Sequence, residues 1–314
     1  MSPVNSIQYF LGANSPTGFY SLYDQLLPPE QASAIYILKG GPGCGKSTLM
    51  RRVAALAQEA GEPVEYILCS GDPDSLDAIL LPGKKAALVD GTAPHVVEPK
   101  YPGVVEQYIN LGKCYDHNGM EGLRTAIISC MRGYKGHYQR AYRCLDAAAE
   151  LMYDVRSTLD SDALEEKLSK RARGILDREL KPRKGAPAGT VKQRFLGAVT
   201  HRGQMCLWGT VECQCQRIYE LSDRYGLAHR MLAHLLSGAL KAGYDVVACP
   251  SPMAPDRLEH LLIPQLSLAF LSSAPLPRQG LSSPPSGQRR LRRSAPPQQA
   301  PAALLPKDHQ RPDG

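Results

Sequence analysis

The stretch AIYILKGGPGCGKSTLMRRVAALAQEAG, residues 34–61, restricts the possible folds more than any other part of the chain. An apolar run ends in a loop with glycine at 40, 41, 43 and 45, and a helix-periodic segment follows at once. Gly40, Gly45, Lys46 and Ser47 satisfy the spacing G-x-x-x-x-G-K-S. Strand, glycine loop and helix in that order predict an α/β domain in which the loop lies at the carboxyl end of a strand in a parallel sheet.

Each position in the loop answers to a physical demand. Backbone N–H groups can wrap a polyphosphate only where no side chain blocks close approach and unusual dihedrals are allowed, which the glycines permit. A helix starting near Lys46 points the positive end of its dipole at the same place. The candidate nucleotide-binding residues are therefore Gly40, Gly41, Pro42, Gly43, Cys44, Gly45, Lys46, Ser47 and Thr48. Lys46 would reach the β and γ oxygens and Ser47 would offer a hydroxyl to Mg2+.

A second acid is needed for the metal. Ala86–Val89 reads as a short buried strand, and Asp90 follows at its carboxyl end. Asp90 is the expected metal partner of Ser47; its other use would be to open the Asp-Gly-Thr turn. The strand at Val64 to about Cys69 runs into an acidic loop with Asp72, Asp74 and Asp77. Asp72 or Asp74 could orient a water or an acceptor hydroxyl; the same run is also turn and cap chemistry, with Ser75 or Asp74 capping a helix beginning at Leu76. His95 is a weaker candidate for sensing the γ-phosphate.

From Glu121 the periodicity becomes helical. Ile127, Met131, Tyr134, Tyr138, Ala141, Leu145, Ala148, Met152, Val155 and Leu159 fall on one helix face, with Gly133 and Gly136 expected to weaken its start. Leu164, Leu168, Ala172, Ile175 and Leu180 form a second stripe, so residues 121–180 predict an antiparallel helical hairpin. Arg140, Arg143, Lys170, Arg171 and Arg173 are its candidates for an arginine finger, although such charges also suit a solvated face. Residues 181–194 read as an exposed linker.

The chain then starts again. FLGAVTHRG at 195–203 repeats FLGANSPTG at 10–18, and DRLEHLLIP from Asp256 repeats DSLDAILLP from Asp74. An internal duplication at an offset of about 182 to 185 residues accounts for both. Aligned on its flanks, the second copy sets Asp223 against Gly40, Ala228 against Gly45, His229 against Lys46, Arg230 against Ser47 and Ser272 against Asp90. Without the glycines, the lysine and the metal ligands, it should not bind Mg-ATP in the usual way. The expected organisation is a nucleotide domain at 1–120, the hairpin at 121–180, the linker at 181–194 and a degenerate repeat at 195–272. A disordered basic tail follows at 273–314.

Charge argues against a nucleic-acid surface. The net charge is +7, but residues 273–314 hold seven Lys/Arg against two Asp, leaving the folded part near +2. Nine scattered cysteines suit free thiols, and Cys213 and Cys215 stand too close for a zinc hook. No apolar run approaches the eighteen or so residues of a membrane span, so a soluble cytoplasmic protein is expected.

The pieces GFYSLYD, ILKGGPGCGKSTLM, CSGDPDSLDAI, LVDGTAPHVVEPKYPG and FLGAVT resemble a family of bacterial tandem P-loop ATPases found mostly in Gram-positive anaerobes and spore formers. The resemblance covers about the first 115 residues well and the second copy loosely. It implies a three-layer P-loop NTPase fold, ATP with Mg2+ as cofactors, and two intact phosphate loops per chain where this sequence keeps one. The function expected is ATP hydrolysis, with a small-molecule or nucleotide kinase and a non-hydrolysing ATP-gated adaptor as alternatives. A protein partner could use the hairpin or the second repeat.

Overall fold

The computed structural model describes residues 6–94, 96–159, 161–273 and 291–292. Two six-stranded mixed sheets divide the strands between them. The first is built from β1 (Ile7–Phe10), β4 (Ala34–Lys39), β5 (Glu65–Leu68), β6 (Leu76–Leu81), β7 (Ala86–Asp90) and β8 (Glu106–Asn110), with β2 (Gly12–Ser15) and β3 (Gly18–Ser21) forming a separate hairpin. Its strand order is β1-β5-β6-β7-β4-β8. The helix α1 (Lys46–Glu59) follows β4 and packs across β6.

The second sheet uses β9 (Val191–Gln193), β12 (Arg217–Ser222), β13 (Val246–Ser251), β14 (Ala254–Ile263), β15 (Leu268–Ser273) and β16 (Leu291–Arg292). Read from the β9 edge, its order is β9-β13-β14-β15-β12-β16. This is the first sheet strand for strand, with parallel and antiparallel pairings in the same places. A hairpin of β10 (Gly197–Thr200) and β11 (Gly203–Cys206) repeats β2 and β3. The helix α6 (Ala228–Lys241) repeats α1. Even the turns between β6 and β7 and between β14 and β15 agree: Lys85 and Ser267 both adopt left-handed φ, 50° and 49°.

The sheets are mixed rather than parallel, which corrects the expectation from the loop motif. Only short turns join β5 to β6 and β6 to β7, and such turns can connect antiparallel neighbours alone. Leu76–Leu81, one candidate for a capped helix, is the fully buried strand β6. Asp77 therefore lies inside a strand and not in an acidic loop.

The helical middle contains α2 (His117–Gly122), α3 (Arg124–Ser157) and α4 (Asp162–Glu179). Both long helices occur where the periodicity predicted them, but they do not pair as a hairpin. The stripe on α4 is covered by α6, where Ala172 and Ile175 join Met231, Leu232 and Leu235 in one core. The backbones come close there: a Cβ on Gly238 would meet Leu176 Cδ1 at 2.4 Å. With α6 on that stripe, α3 runs for 34 residues, about 50 Å, with no fully buried residue, and one side of it touches β2 and the loop at 223–227. Gly133 and Gly136 do not break it.

The segment 181–194 is also not a plain linker. Its end is β9, the edge strand of the second sheet, and Arg194 is 0% exposed. A three-residue edge strand is too short to show periodicity, so the sequence pattern hid it. Arg194 is tolerated inside because it is fully partnered. Its Nε donates to Glu65 Oε1 at 2.6 Å, and its Nη atoms donate to the carbonyls of Gln25 at 2.6 Å, Leu26 at 3.0 Å and Gln193 at 2.9 Å. Lys192 binds the other Glu65 oxygen. Burial pushes the Glu65 carboxyl up, but Arg194 and Lys192 outweigh it and hold it below the usual range.

The two copies meet through equivalent residues. Phe10 N donates to Phe195 O and Phe195 N to Phe10 O, both at 2.9 Å, and both side chains are wholly buried in a core drawn from both halves. A reciprocal contact of this kind is the mark of a local two-fold relation. Beside it, Asn14 Nδ2 donates to Val199 O at 2.8 Å. The helix α5 (Trp208–Gln214) covers the β1 edge, with the Thr210 hydroxyl accepting from Gln8 N and donating to Gln8 O. No helix among the described residues is long and apolar enough to cross a membrane, and all nine cysteines are free. Apart from Ser273, Leu291 and Arg292, the tail at 273–314 lies outside the described residues.

Candidate functional site

The loop 40–45 joins β4 to α1 at the carboxyl edge of the first sheet. Gly43 and Gly45 take φ of 81° and 88°, which a side chain would strain. At Gly40 the constraint is contact, since a Cβ would come within 2.6 Å of Cys44 Sγ. No side chain caps the amino end of α1. Its first-turn amides are therefore left to the loop and to whatever binds in front of it.

Lys46 is 8% exposed, an unusual burial for a lysine. Its ammonium donates to Gly40 O at 2.5 Å and Gly41 O at 3.0 Å and stands 3.4 Å from Asp90 Oδ2. Asp90 ends β7, which pairs in parallel with β4 so that Asp90 lies opposite Leu38. Its second oxygen, Oδ1, accepts from Thr92 N at 2.8 Å and Thr92 Oγ1 at 2.5 Å, which fixes the carboxylate and leaves Oδ2 toward the lysine. Ser47 Oγ accepts from Leu76 N at 3.0 Å, tying α1 to the start of β6. Lys46 and Asp90 thus come together, while the Ser47 hydroxyl is engaged by the start of β6.

Asp72 and Asp74 do not join them. Asp72 shapes its own turn, accepting from Asp74 N at 3.3 Å and Ser75 Oγ at 2.7 Å. Asp74 is paired with Arg202 from the second hairpin, whose hydrogen bond holds the Asp74 carboxyl below its ordinary range. Asp77 accepts from Tyr23 Oη at 2.6 Å inside the core. His95 lies outside the described residues. Among the arginine-finger candidates, Arg140 and Arg143 are exposed on α3, and Lys170, Arg171 and Arg173 ride on α4 against the second half.

Residues that no motif marks complete the surroundings. Tyr115 lies over the loop: a Cβ on Gly41 would be 2.8 Å from its Oη, and the phenol bonds the Cys44 thiol. Lys39 donates to Gly91 O at 2.8 Å, Val97 O at 3.1 Å and Glu98 Oε1 at 2.7 Å, holding the segment after Asp90. Tyr138 of α3 rests on Gly71, and Tyr142 donates to Asn14 Oδ1 at 3.1 Å. These contacts join segments far apart in the chain, so local spacing carried no sign of them.

The second copy answers differently at the same place. The loop between β12 and α6 spans 223–227, one residue shorter than 40–45. The helices therefore begin at Lys46 and Ala228, which moves the flank-based alignment by one: Ala228, not His229, stands opposite Lys46. Asp223 folds its carboxylate onto the helix start, Oδ1 accepting from Leu227 N at 2.7 Å and Oδ2 from Ala228 N at 3.0 Å. Ser272, opposite Asp90, lies 3.3 Å from Asp223 Oδ2 and donates to it. His229 Nδ1 is 3.0 Å from Gly226 O, and burial holds its imidazole below the usual value.

The family model described as Nephrocystin 3, N-terminal, matches residues 21–173. The match takes in the loop, Lys46, Ser47, Asp90 and the whole of α3. No curated protein and no solved structure gives a match.

Proposed function

We propose that this chain is a P-loop NTPase of three-layer fold that binds Mg-ATP in its first copy and hydrolyses it slowly. The observation that carries the reading is Lys46. A buried ammonium held by loop carbonyls at the start of an uncapped helix, 3.4 Å from a strand-end carboxylate, suits a polyphosphate better than any other ligand class. Oxygens of a phosphate chain can replace the carbonyls of Gly40 and Gly41 as partners of Lys46 without leaving that charge unpaired.

The residues also suit Mg2+. Ser47 and Asp90 would hold it, because the serine hydroxyl is one residue past the lysine and still has a lone pair beyond Leu76 N, and Asp90 Oδ2 stands 3.4 Å from the lysine. When bound, the ion neutralises phosphate charge. The chain's own contributions are the loop amides, the Lys46 charge and the Thr92 hydrogen bonds that fix the orientation of Asp90. The kinase alternative loses support, since Asp72 and Asp74 are engaged elsewhere.

The resemblance to tandem P-loop ATPases agrees with the repeated strand order, although only one copy keeps the loop. A cytoplasmic protein with nucleotide as its ligand, and with α3 or the second repeat facing any protein partner, completes the proposal. The test is ATP binding and phosphate release by the parent and by Lys46→Ala. Loss of both in the variant supports the reading, and full activity in the variant overturns it. Tight binding without turnover in the parent would favour the adaptor.

A further inference from the structure

A cleft of about 420 Å³ opens over the loop 223–227, between that loop, α3 and β14. One wall is apolar, formed by Leu151, Met152 and Val155 of α3 with Leu258 opposite. The polar side holds Arg156, Arg257, Asp223 and Glu259.

The hydrogen bonds in this cleft do not balance. Arg156 lays its guanidinium on Gly226, where a Cβ would be 2.5 Å from Nε, and that Nε is buried with no partner. Buried polar groups are almost always paired, so an orphaned N–H on a charged group asks for an acceptor. Arg257 is close enough to oppose the Arg156 charge, which lies below its ordinary pKa first from burial and then from that repulsion. Asp223 is not the missing acceptor: its oxygens meet Leu227 N, Ala228 N and Ser272, and neither is bonded to Arg156 Nε. Glu259 does not supply it either. Burial, with Asp223 adding, pushes its carboxyl up to about 7, so near neutrality it is in part a donor itself.

We propose that this cleft is a binding site for a small organic carboxylate with an apolar body, held by Arg156 and Arg257. A guanidinium offers paired donors that match a planar carboxylate, and Arg156 and Arg257 both line the cleft. The apolar wall takes the body, and a cleft of this size belongs to the range of small-molecule sites. A phosphate dianion fits worse, since it would face the Asp223 carboxylate where its partner amides are already occupied. The site does not depend on nucleotide binding in the first copy.

The test uses the full chain carrying Lys46→Ala, so that the outcome is separate from ATP binding. Benzoate, benzyl alcohol, acetate and inorganic phosphate are titrated and followed by calorimetry and ligand-observed NMR. Saturable benzoate binding is expected, at least tenfold tighter than that of benzyl alcohol, acetate or phosphate. Arg156→Met and Arg257→Met, each shown to be folded by circular dichroism, should weaken it by a factor of ten or more. Arg156→Lys, which keeps the charge and loses the fork, should fall between. Absence of saturable benzoate binding, equal binding of benzyl alcohol, or benzoate binding unchanged in folded Arg156→Met would overturn the proposal.

Discussion

The loops 40–45 and 223–227 stand at the same point of the same topology and solve the same problem in opposite ways. A helix amino terminus leaves N–H groups without intrahelical partners, and something must meet them. At α6 the chain meets them itself, with the Asp223 carboxylate. At α1 no side chain does, and the glycine loop with Lys46 faces outward from the sheet edge instead. The amides of the α6 start are thus no longer free to meet an outside anion. The second copy therefore differs from the first by more than the motif, because its loop also carries its own partner for the helix amides.

The largest effect is expected where the copies join. Arg194→Met leaves Glu65 buried without its main partner, which should cost about 3–5 kcal/mol in urea unfolding. If the loss is small, the halves are less interdependent than the shared core implies. The same cluster sets an acid limit. The Glu65 carboxyl is held below its unfolded value near 4.3, so its contribution is complete above that pH and fades as pH falls through the folded value. Unfolding followed from pH 6 to pH 2.5 should lose this contribution in the parent and lose less in Arg194→Met.

At the loops themselves the contrast should be steep. Lys46→Ala is expected to lower ATP turnover about 100- to 1,000-fold, as removal of a charge-stabilising donor does elsewhere. His229→Ala should leave turnover unchanged in the same phosphate-release measurement. Asp223→Ala removes the helix cap and should cost roughly 1 kcal/mol of stability. It should gain no ATP binding by equilibrium dialysis, since no lysine replaces Ala228. A gain of binding there would break the distinction between the copies. The smallest expected effect is on α3, where a Cβ at Gly133 or Gly136 meets open space. Replacing either by alanine should stabilise the chain by about 0.5–1 kcal/mol, read as a higher Tm.

How legible these features were in the sequence follows from how local they are. The loop, Lys46, Ser47 and the strand-end Asp90 could be found because each depends on chain neighbours or on a short buried run. The repeat was visible in FLGA and in the matching stretches DSLDAILLP and DRLEHLLIP that hold β6 and the end of β14. The antiparallel β6 was not, because a continuously buried strand looks alike in either direction. Arg194 reads as a solvent-facing linker charge, and only the approach of Glu65, far off in sequence, explains its burial. The stripe on α3 shows the opposite case: periodicity predicted a buried face pairing with α4, but α4 packs on α6 and the α3 stripe is only partly covered.

The mutual bond of Phe10 and Phe195 has a consequence for assembly. A contact made by the same residue on both sides is complete once two copies have met, and here both belong to one polypeptide. The sheet edge that could have recruited a neighbouring molecule is thus satisfied from within. Because both halves belong to one polypeptide, their stoichiometry is fixed at one to one whatever the concentration of the protein.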